Sequence, residues 1–123
     1  MSFLDILIFL YKLSIIKSNA EIIDEIKKKL IDSFDPLSIY LFGSNVWGNP
    51  NINSDIDILM IIDDSIDSKA KRATKAYRAL RGVSMGPLDI LIRTKKEVNE
   101  SSNKRMSLIN KILFDGKKLY ERK

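Results

Sequence analysis

Hydrophobic residues along the chain fall into alternating segments of helical and strand spacing. An almost wholly apolar segment over about residues 2–17 predicts a helix that a neighbouring surface covers. A Ser-x-x-Glu capping pattern begins at Ser18, and apolar residues at helical spacing follow it as far as Asp35-Pro36. The sequence therefore predicts a second helix over 19–34.

Several later segments are rich in β-branched and aromatic residues, as strands are. They cover residues 37–42, 55–62, 88–93 and, as a short edge strand, 117–121. Because both faces of these strands are apolar, they favour an α/β fold, a small mixed sheet of three or four strands flanked by helices. We expect one domain over residues 1–123, since the chain contains no plausible linker.

Two further helices are predicted between and after these strands. One covers residues 67–81, and the other follows a capping pattern at Thr94 and ends at Gly116. Its apolar positions are Met106, Ile109 and Leu113. In the helix over 67–81, spacing predicts a core stripe of Ala70, Ala73, Tyr77 and Leu80. A separate basic stripe holds Lys71, Lys75, Arg78 and Arg81.

Composition narrows the chemistry that is open to this chain. It has no cysteine and no histidine, which excludes disulfides, thiolate metal sites, the usual zinc ligand and the usual neutral-pH base. Any metal must therefore bind oxygen ligands. The net charge of +5 leaves nucleic acid, nucleotides and acidic proteins open as partners. The apolar segment over 2–17 is too short to span a membrane, and we expect a cytoplasmic protein.

Three aspartates stand at the starts of apolar strands. Asp55 and Asp57 are two residues apart, so they project from the same face of their strand. Asp89 holds the same early position in "LDILIR", and the three carboxylates converge if the two strands are adjacent. Carboxylates grouped in this way repel one another unless a cation joins them.

Gly43 and Ser44 lie where the strand over 37–42 gives way to a turn. A glycine lets a phosphate approach the backbone, while a serine hydroxyl and free amides at a helix start can bind phosphate oxygens. Magnesium prefers one or two carboxylates together with substrate phosphates. A phosphate-binding turn that faces three aspartates therefore suggests magnesium between them.

The full pattern resembles the nucleotidyltransferase superfamily that includes DNA polymerase β. It consists of a strand, Gly43-Ser44, ten intervening residues, Asp55-Ile56-Asp57 and an acidic residue, Asp89, on a later strand. The short length and the ending "FDGKKLYER" are similar to the minimal nucleotidyltransferases, which are often encoded beside HEPN-domain toxins. The resemblance covers about residues 20–121 and leaves out the apolar helix.

The resemblance implies a role for each residue of the motif. Gly43 and Ser44 would hold the β- and γ-phosphates of ATP or another nucleoside triphosphate. Asp55 and Asp57 would ligate two magnesium ions, and Asp89 would bind the metal beside the attacking hydroxyl and help take its proton. The implied reaction moves a nucleoside monophosphate, AMP from ATP, to a hydroxyl and releases pyrophosphate.

The resemblance also implies that this protein is an antitoxin and that its partner is a HEPN toxin, on which it AMPylates a tyrosine. Its acceptor would come from another chain, since no template-binding module fits in this length, and the apolar helix would support a homo- or hetero-oligomer. One alternative is a binding protein that neutralises its partner by contact alone. A second is a nucleic-acid binder using the basic helix, although nucleic acid is not expected to be the main partner.

The turn departs from the family pattern at one residue. Many relatives have an arginine inside it, as in Gly-Ser-x-Ala-Arg-Gly, whereas this chain has Trp47. Trp47 is interpreted as a packing or partner contact rather than as a platform for a base. The basic helix offers Lys71, Lys75 and Arg78 as replacement cations.

Overall fold

The computed structural model describes residues 2–15, 18–48, 55–102 and 107–123. Within these ranges the chain forms six helices and four strands. The helices are α1 (Phe3–Ile15), α2 (Asn19–Phe34), α3 (Ser44–Trp47), α4 (Lys69–Ala79), α5 (Lys95–Ser102) and α6 (Leu108–Asp115). The strands are β1 (Ser38–Phe42), β2 (Ile56–Ile62), β3 (Leu88–Thr94) and β4 (Lys117–Glu121).

The four strands form one mixed sheet in the order β3-β2-β1-β4. β1 is antiparallel to both β2 and β4, whereas β2 and β3 are parallel and are connected through α4. A parallel pair needs such a crossover, while antiparallel neighbours can be joined by a turn. The predicted α/β fold with three or four strands flanked by helices is confirmed.

Strand alternation gives the sheet two apolar faces, each covered by a pair of helices. On one face, β-strand residues such as Ile58 and Ile90 pack with α2 and α4. On the other, Leu59 and Phe42 pack with α5 and α6 through residues such as Ile112. The α5/α6 face is important here because odd-numbered residues of β2 and β3, including the aspartates, point to it.

Local capping fixes the helix starts that the sequence predicted. The Ser18 hydroxyl accepts a hydrogen bond from the Glu21 amide at 3.2 Å. α2 then ends where Asp35 adopts a left-handed conformation, with φ of 44°, and its amide donates to the Ile31 carbonyl. At the start of α5, Thr94 and Glu97 exchange side-chain to backbone hydrogen bonds, so the predicted capping box there is confirmed.

The predicted core stripe of α4 is partly wrong. The buried residues of the helix are Arg72 and Ala76, and Leu80 follows them at the same spacing. Tyr77 is 43% exposed instead of buried, and its hydroxyl donates to the Leu88 carbonyl at 2.9 Å. The buried face of α4 differs from the predicted one because it includes Arg72. Arg72 can be buried there since it pairs with Glu97, a residue 25 positions away that helical spacing does not indicate.

The predicted last helix is divided in the structure into α5 and α6. Its predicted apolar marker Met106 lies outside the described residues, while Ile109 is buried on α6 and Leu113 is half-buried. Ser107 caps α6 by accepting a hydrogen bond from the Asn110 amide at 3.1 Å. This second cap starts a new helix that the sequence analysis did not separate from the first.

α1 stands apart from the two covered faces. Phe3, Leu4 and Leu10 are each more than half exposed, although the helix is strongly apolar. In the described part of the chain, no helix is both long and apolar enough to cross a membrane. The apolar surface of α1 is therefore available for contact with another molecule.

Candidate active site

The three predicted aspartates come together at the amino-terminal end of β2 and β3. Asp57 and Asp89 are register partners on these parallel strands, so their side chains leave the same face side by side. Asp55 directly precedes β2, two residues before Asp57, and the Ile56 amide between them donates to the Pro87 carbonyl at 3.0 Å. The prediction that these two strands are adjacent is confirmed.

The carboxylates influence each other electrostatically. Partial burial raises the pKa of Asp57 above its ordinary value, and repulsion from the negative charges of Asp89 and Asp55 raises it further. Among the described residues, none of these three aspartates takes part in an ion pair. A cation placed here would therefore relieve a repulsion that nothing described in the protein offsets.

This donor set fits magnesium better than a metal that needs a closed protein cage. All three donors are carboxylates, the hard oxygen ligands that magnesium prefers. Across the described ranges, no three acidic, histidine or cysteine side chains lie close enough together to hold an ion by themselves. Magnesium commonly completes its octahedron with water and substrate phosphate, so such a partial site is consistent with a metal that arrives with a nucleotide.

Gly43 is required by the position of Asp57. Phe42 is the register partner of Asp57 across β1 and β2, so the turn after Phe42 lies beside that carboxylate. The backbone of Gly43 has φ of 79°, and a Cβ atom there would collide with the Asp57 carboxylate. The motif predicts that this glycine lets a phosphate approach the backbone, and in the structure it makes room for the Asp57 carboxylate.

The short helix α3 begins at Ser44, directly after Gly43. Its first amides have no carbonyl acceptor within the helix. Ser44 is exposed and does not cap the helix, because Gly43 occupies the N-cap position and makes no side-chain capping bond. The Ser44 side chain is thus exposed directly after the glycine that Asp57 approaches, and its binding of phosphate stays a prediction.

Two side chains that the motif does not include fix the backbone around the aspartates. The Asn45 side-chain amide donates to the Asp55 carbonyl at 2.6 Å and so ties α3 to the start of β2. Tyr77, through its bond to Leu88, ties α4 to the residue before Asp89. An asparagine one residue after Gly-Ser is a weak signal, since its partner lies ten positions further along the chain.

Trp47, which occupies the position of the family arginine, packs against α6. Its indole N–H donates to the Asp115 carbonyl at 3.3 Å, and its ring lies 6.0 Å from that of Phe42. The Lys111 ammonium lies over the ring, 4.3 Å from its centroid. Trp47 is therefore a packing residue within this chain, although it remains 37% exposed.

The cations that the sequence analysis proposed as replacements for the arginine lie elsewhere. Lys71 and Lys75 both pair with Asp67, at 3.4 and 2.5 Å. Lys75 and Arg78 line a cavity of about 670 Å³ at the opposite end of β2, beside Asp63. Residues that line this cavity form ion pairs with one another, among them Arg122 with Asp63. The three aspartates of the motif are not among its lining residues.

Comparison with known proteins agrees with the class that the motif and fold define. The chain belongs to the polymerase beta nucleotidyltransferase family, whose model matches residues 21–123. The match begins after α1 and includes the whole sheet. The predicted family is confirmed.

Individual relatives resemble parts of this chain. Over 68 residues it is 32% identical to spectinomycin 9-adenylyltransferase of Staphylococcus aureus, covering 50% of this chain and 26% of that protein. The chain thus matches only about a quarter of the length of this curated relative.

Two solved structures share the fold. A Sulfolobus solfataricus protein assigned as a nucleotidyltransferase has a TM-score of 0.58 at 23% identity, over 83% of this chain and 79% of its own. A doubly substituted form of the toxin–antitoxin pair MntA–HpeT has a TM-score of 0.50 at 25% identity, over 81% of this chain and 73% of its own.

Proposed function

We propose that this protein is a magnesium-dependent nucleotidyltransferase that moves AMP from ATP to a hydroxyl group of a partner protein and releases pyrophosphate. The observation that carries the proposal is the cluster of Asp55, Asp57 and Asp89 beside the Gly43-Ser44 turn, with no ion pair to any described residue. Family membership and the match to an adenylyltransferase support nucleotide transfer.

In the proposed reaction, an acceptor oxygen attacks the α-phosphorus of ATP, and the bond from that phosphorus to the bridging oxygen of pyrophosphate breaks. Bound magnesium would supply a positive charge for the attacking and leaving oxygens. Asp55 and Asp57 would hold the metal, and Asp89 would also bind it and would accept the proton of the attacking hydroxyl. Gly43 and Ser44 orient the β- and γ-phosphates through free amides and the serine hydroxyl.

We further propose that the acceptor is a tyrosine of a HEPN-type toxin and that the modification silences the toxin. The similarity to one chain of the MntA–HpeT toxin–antitoxin pair supports a toxin as the partner.

Transfer of labelled AMP tests this function. Wild-type protein, radiolabelled ATP, magnesium and the product of the adjacent gene are expected to yield a labelled partner. Asp57→Asn and Asp89→Asn should each reduce the label by about a hundredfold or more, because charge stabilisation worth several kcal/mol is lost. The matched control is Asp64→Asn, an exposed aspartate beyond the opposite end of β2, which should label like wild type.

Binding of metal and nucleotide is testable without the partner. Magnesium with ATP should raise the melting temperature of the wild type and of Asp64→Asn, because a ligand that binds only the folded state stabilises it. Asp57→Asn should show little of that increase. An equal increase in all three proteins would place the metal away from this cluster.

The second candidate is a binding protein that neutralises its partner by contact. Trp47 in place of the family arginine and the exposed apolar surface of α1 favour it. This alternative would be established if Asp57→Asn neutralised the partner as completely as the wild type and neither protein transferred label. The same result would refute the hypothesis that the protein is an enzyme.

A further inference from the structure

Lys111 lies on the same side of the sheet as the aspartates. Asp57 shares its face of β2 with Leu59, and α6 packs on that face through Ile109. Lys111 is an exposed residue of α6, and its ammonium lies 4.3 Å from the centroid of the Trp47 ring. Lys111 thereby places a positive charge against the last residue of α3, the helix that follows Gly43.

The chain of contacts from this lysine to the aspartates is short. Trp47 packs on Phe42, with the two ring centroids 6.0 Å apart. Phe42 is the direct register partner of Asp57. The indole N–H of Trp47, bonded to the Asp115 carbonyl, fixes the ring against the end of α6.

The charge of Lys111 is not committed to a carboxylate. Within the part of the chain that the structure describes, Lys111 forms no ion pair, whereas Lys71 and Lys75 share Asp67. Contact with an aromatic face leaves the N–H donors that point away from the ring able to bind a further anion. A lysine carries this charge on a flexible stem, which suits it to phosphate groups.

We propose that Lys111 is a substrate-binding residue that supplies positive charge to the β- and γ-phosphates at the Gly43-Ser44 turn, and that Trp47 is the positioning residue that holds its ammonium there. This inference rests on the proposed nucleotidyltransferase function. It accounts for a turn without its own arginine, because the cation comes from α6, 64 positions further along the sequence than Trp47.

Nucleotide affinity in the presence of magnesium tests the inference directly. Lys111→Met, which keeps the length of the side chain and removes its charge, should weaken ATP binding about tenfold to a hundredfold. AMP, which lacks the β- and γ-phosphates, should bind both proteins equally. Lys111→Arg should recover most of the ATP affinity. The matched control is Lys118→Met on β4, which removes an ammonium that lies 5.7 Å from the centroid of the Tyr40 ring.

The role of Trp47 is tested by combining substitutions. Trp47→Leu should weaken ATP binding in the wild-type background but have little further effect on Lys111→Met, since both changes remove the same contact. Trp47 is also the single tryptophan of the chain, so its fluorescence should change when a phosphate of ATP binds the ammonium that lies over its ring. That change should be absent in Lys111→Met.

Each outcome decides between clear alternatives. The inference would be overturned if a folded Lys111→Met protein bound ATP as tightly as the wild type. It would also be overturned if Lys111→Met lost as much affinity for AMP as for ATP, or if Lys118→Met lost as much ATP affinity as Lys111→Met. If the wild type binds ATP and transfers AMP while Lys111→Met does both equally well, only the role of Lys111 fails. If the wild type binds no ATP, the proposed function fails and this inference fails with it.

Discussion

At the scale of single residues, the site depends on how closely the turn approaches β2. Asp57 can lie against the backbone of Gly43 only because that residue has no Cβ atom. The carboxylate is thus held partly buried beside the amides of α3, where a cation and a phosphate can meet. One glycine thereby sets both the conformation of the turn and the environment of the central aspartate.

Gly43→Ala is expected to destabilise the protein more than Gly82→Ala. Both glycines have positive φ, 79° and 89°, so each substitution strains the backbone, and the strain is greater at Gly43 because its ψ of −150° gives a combination that only glycine readily adopts. Only at Gly43 does the new methyl group collide with a side chain, whereas nothing lies within 4 Å at Gly82. Overpacking should add about 1–3 kcal/mol, measured by urea unfolding.

The collision is tested separately from the strain by a second background. In Asp57→Ala, the difference between the two glycine substitutions should become smaller, because the collision is gone while the backbone strain remains. A difference that persists unchanged would show that something other than Asp57 limits the space at Gly43.

At the scale of elements, Glu97 links α4, β3 and α5. Its carboxylate accepts from the Thr94 amide at 2.8 Å and from the Arg72 guanidinium at 2.6 Å. Arg72 also donates to the Ile92 carbonyl at 3.3 Å, and its Nε atom is buried without a partner among the described residues. The contacts with Glu97 and Ile92 offset part of the unfavourable burial of the Arg72 charge.

Glu97→Gln should lower the free energy of unfolding by about 2–3 kcal/mol at pH 7, because a charged hydrogen-bond network is weakened. Burial by itself raises the pKa of Glu97, but the bonds from Thr94 and Arg72 outweigh it and lower the pKa below the usual 4.5. The stabilisation is therefore complete above about pH 4.5 and is lost as the pH falls through the lower folded-state pKa.

Chemical unfolding at pH 7 and pH 3 measures this dependence. The difference between wild type and Glu97→Gln should shrink at the lower pH. Glu100→Gln, an exposed change on the same helix, should remain within about 0.5 kcal/mol of wild type at both values. A pH-independent loss in Glu97→Gln would indicate that shape, not charge, accounts for the effect.

The elements show which features a sequence can specify. α2 and β4 have the predicted bounds, because the cap at Ser18, the stop at Asp35 and the glycine before β4 act over a few residues. The neighbouring aspartate strands were also predictable, since Asp57 and Asp89 occupy matching positions. The buried face of α4 was not predictable from the sequence, because it depends on the pairing of Arg72 on α4 with Glu97 on α5.

The surroundings of the aspartates were the least predictable part of the site. The bond of Trp47 to Asp115 joins residues 68 positions apart, and no local pattern marks either partner. Asn45 reaches the Asp55 carbonyl over a ten-position separation. A motif identifies the groups that carry the chemistry, but the contacts that position them arise from packing.

At the scale of the whole molecule, the two ends of β2 differ in how their acidic residues are neutralised. Beyond its carboxyl end, Arg122 pairs with Asp35 and Asp63, while Asp67 pairs with lysines of α4. These pairs neutralise part of the basic face of α4 and weaken the case for nucleic-acid binding there. At the amino end the aspartates have no such partner in the described chain, which concentrates negative charge where a metal is proposed.

α1 is the remaining large-scale feature, and we expect its apolar surface to mediate self-association or binding to the partner. Leu7 and Leu10 are 45% and 54% exposed and lie one turn apart. The double substitution Leu7→Glu with Leu10→Glu should reduce the sedimenting mass of the protein, alone or mixed with its partner. Its melting temperature should change little, because these side chains are largely outside the core.

Phe114→Ser provides the control for this experiment, since Phe114 is 90% exposed on α6 and its loss removes an equally apolar surface elsewhere. If α1 is the interface, Phe114→Ser should leave the sedimenting mass unchanged. Equal effects from both changes would indicate non-specific adhesion of apolar surface. An unchanged mass in the α1 variant, with and without partner, would mean that α1 mediates neither contact, and the exposed helix would then need another explanation.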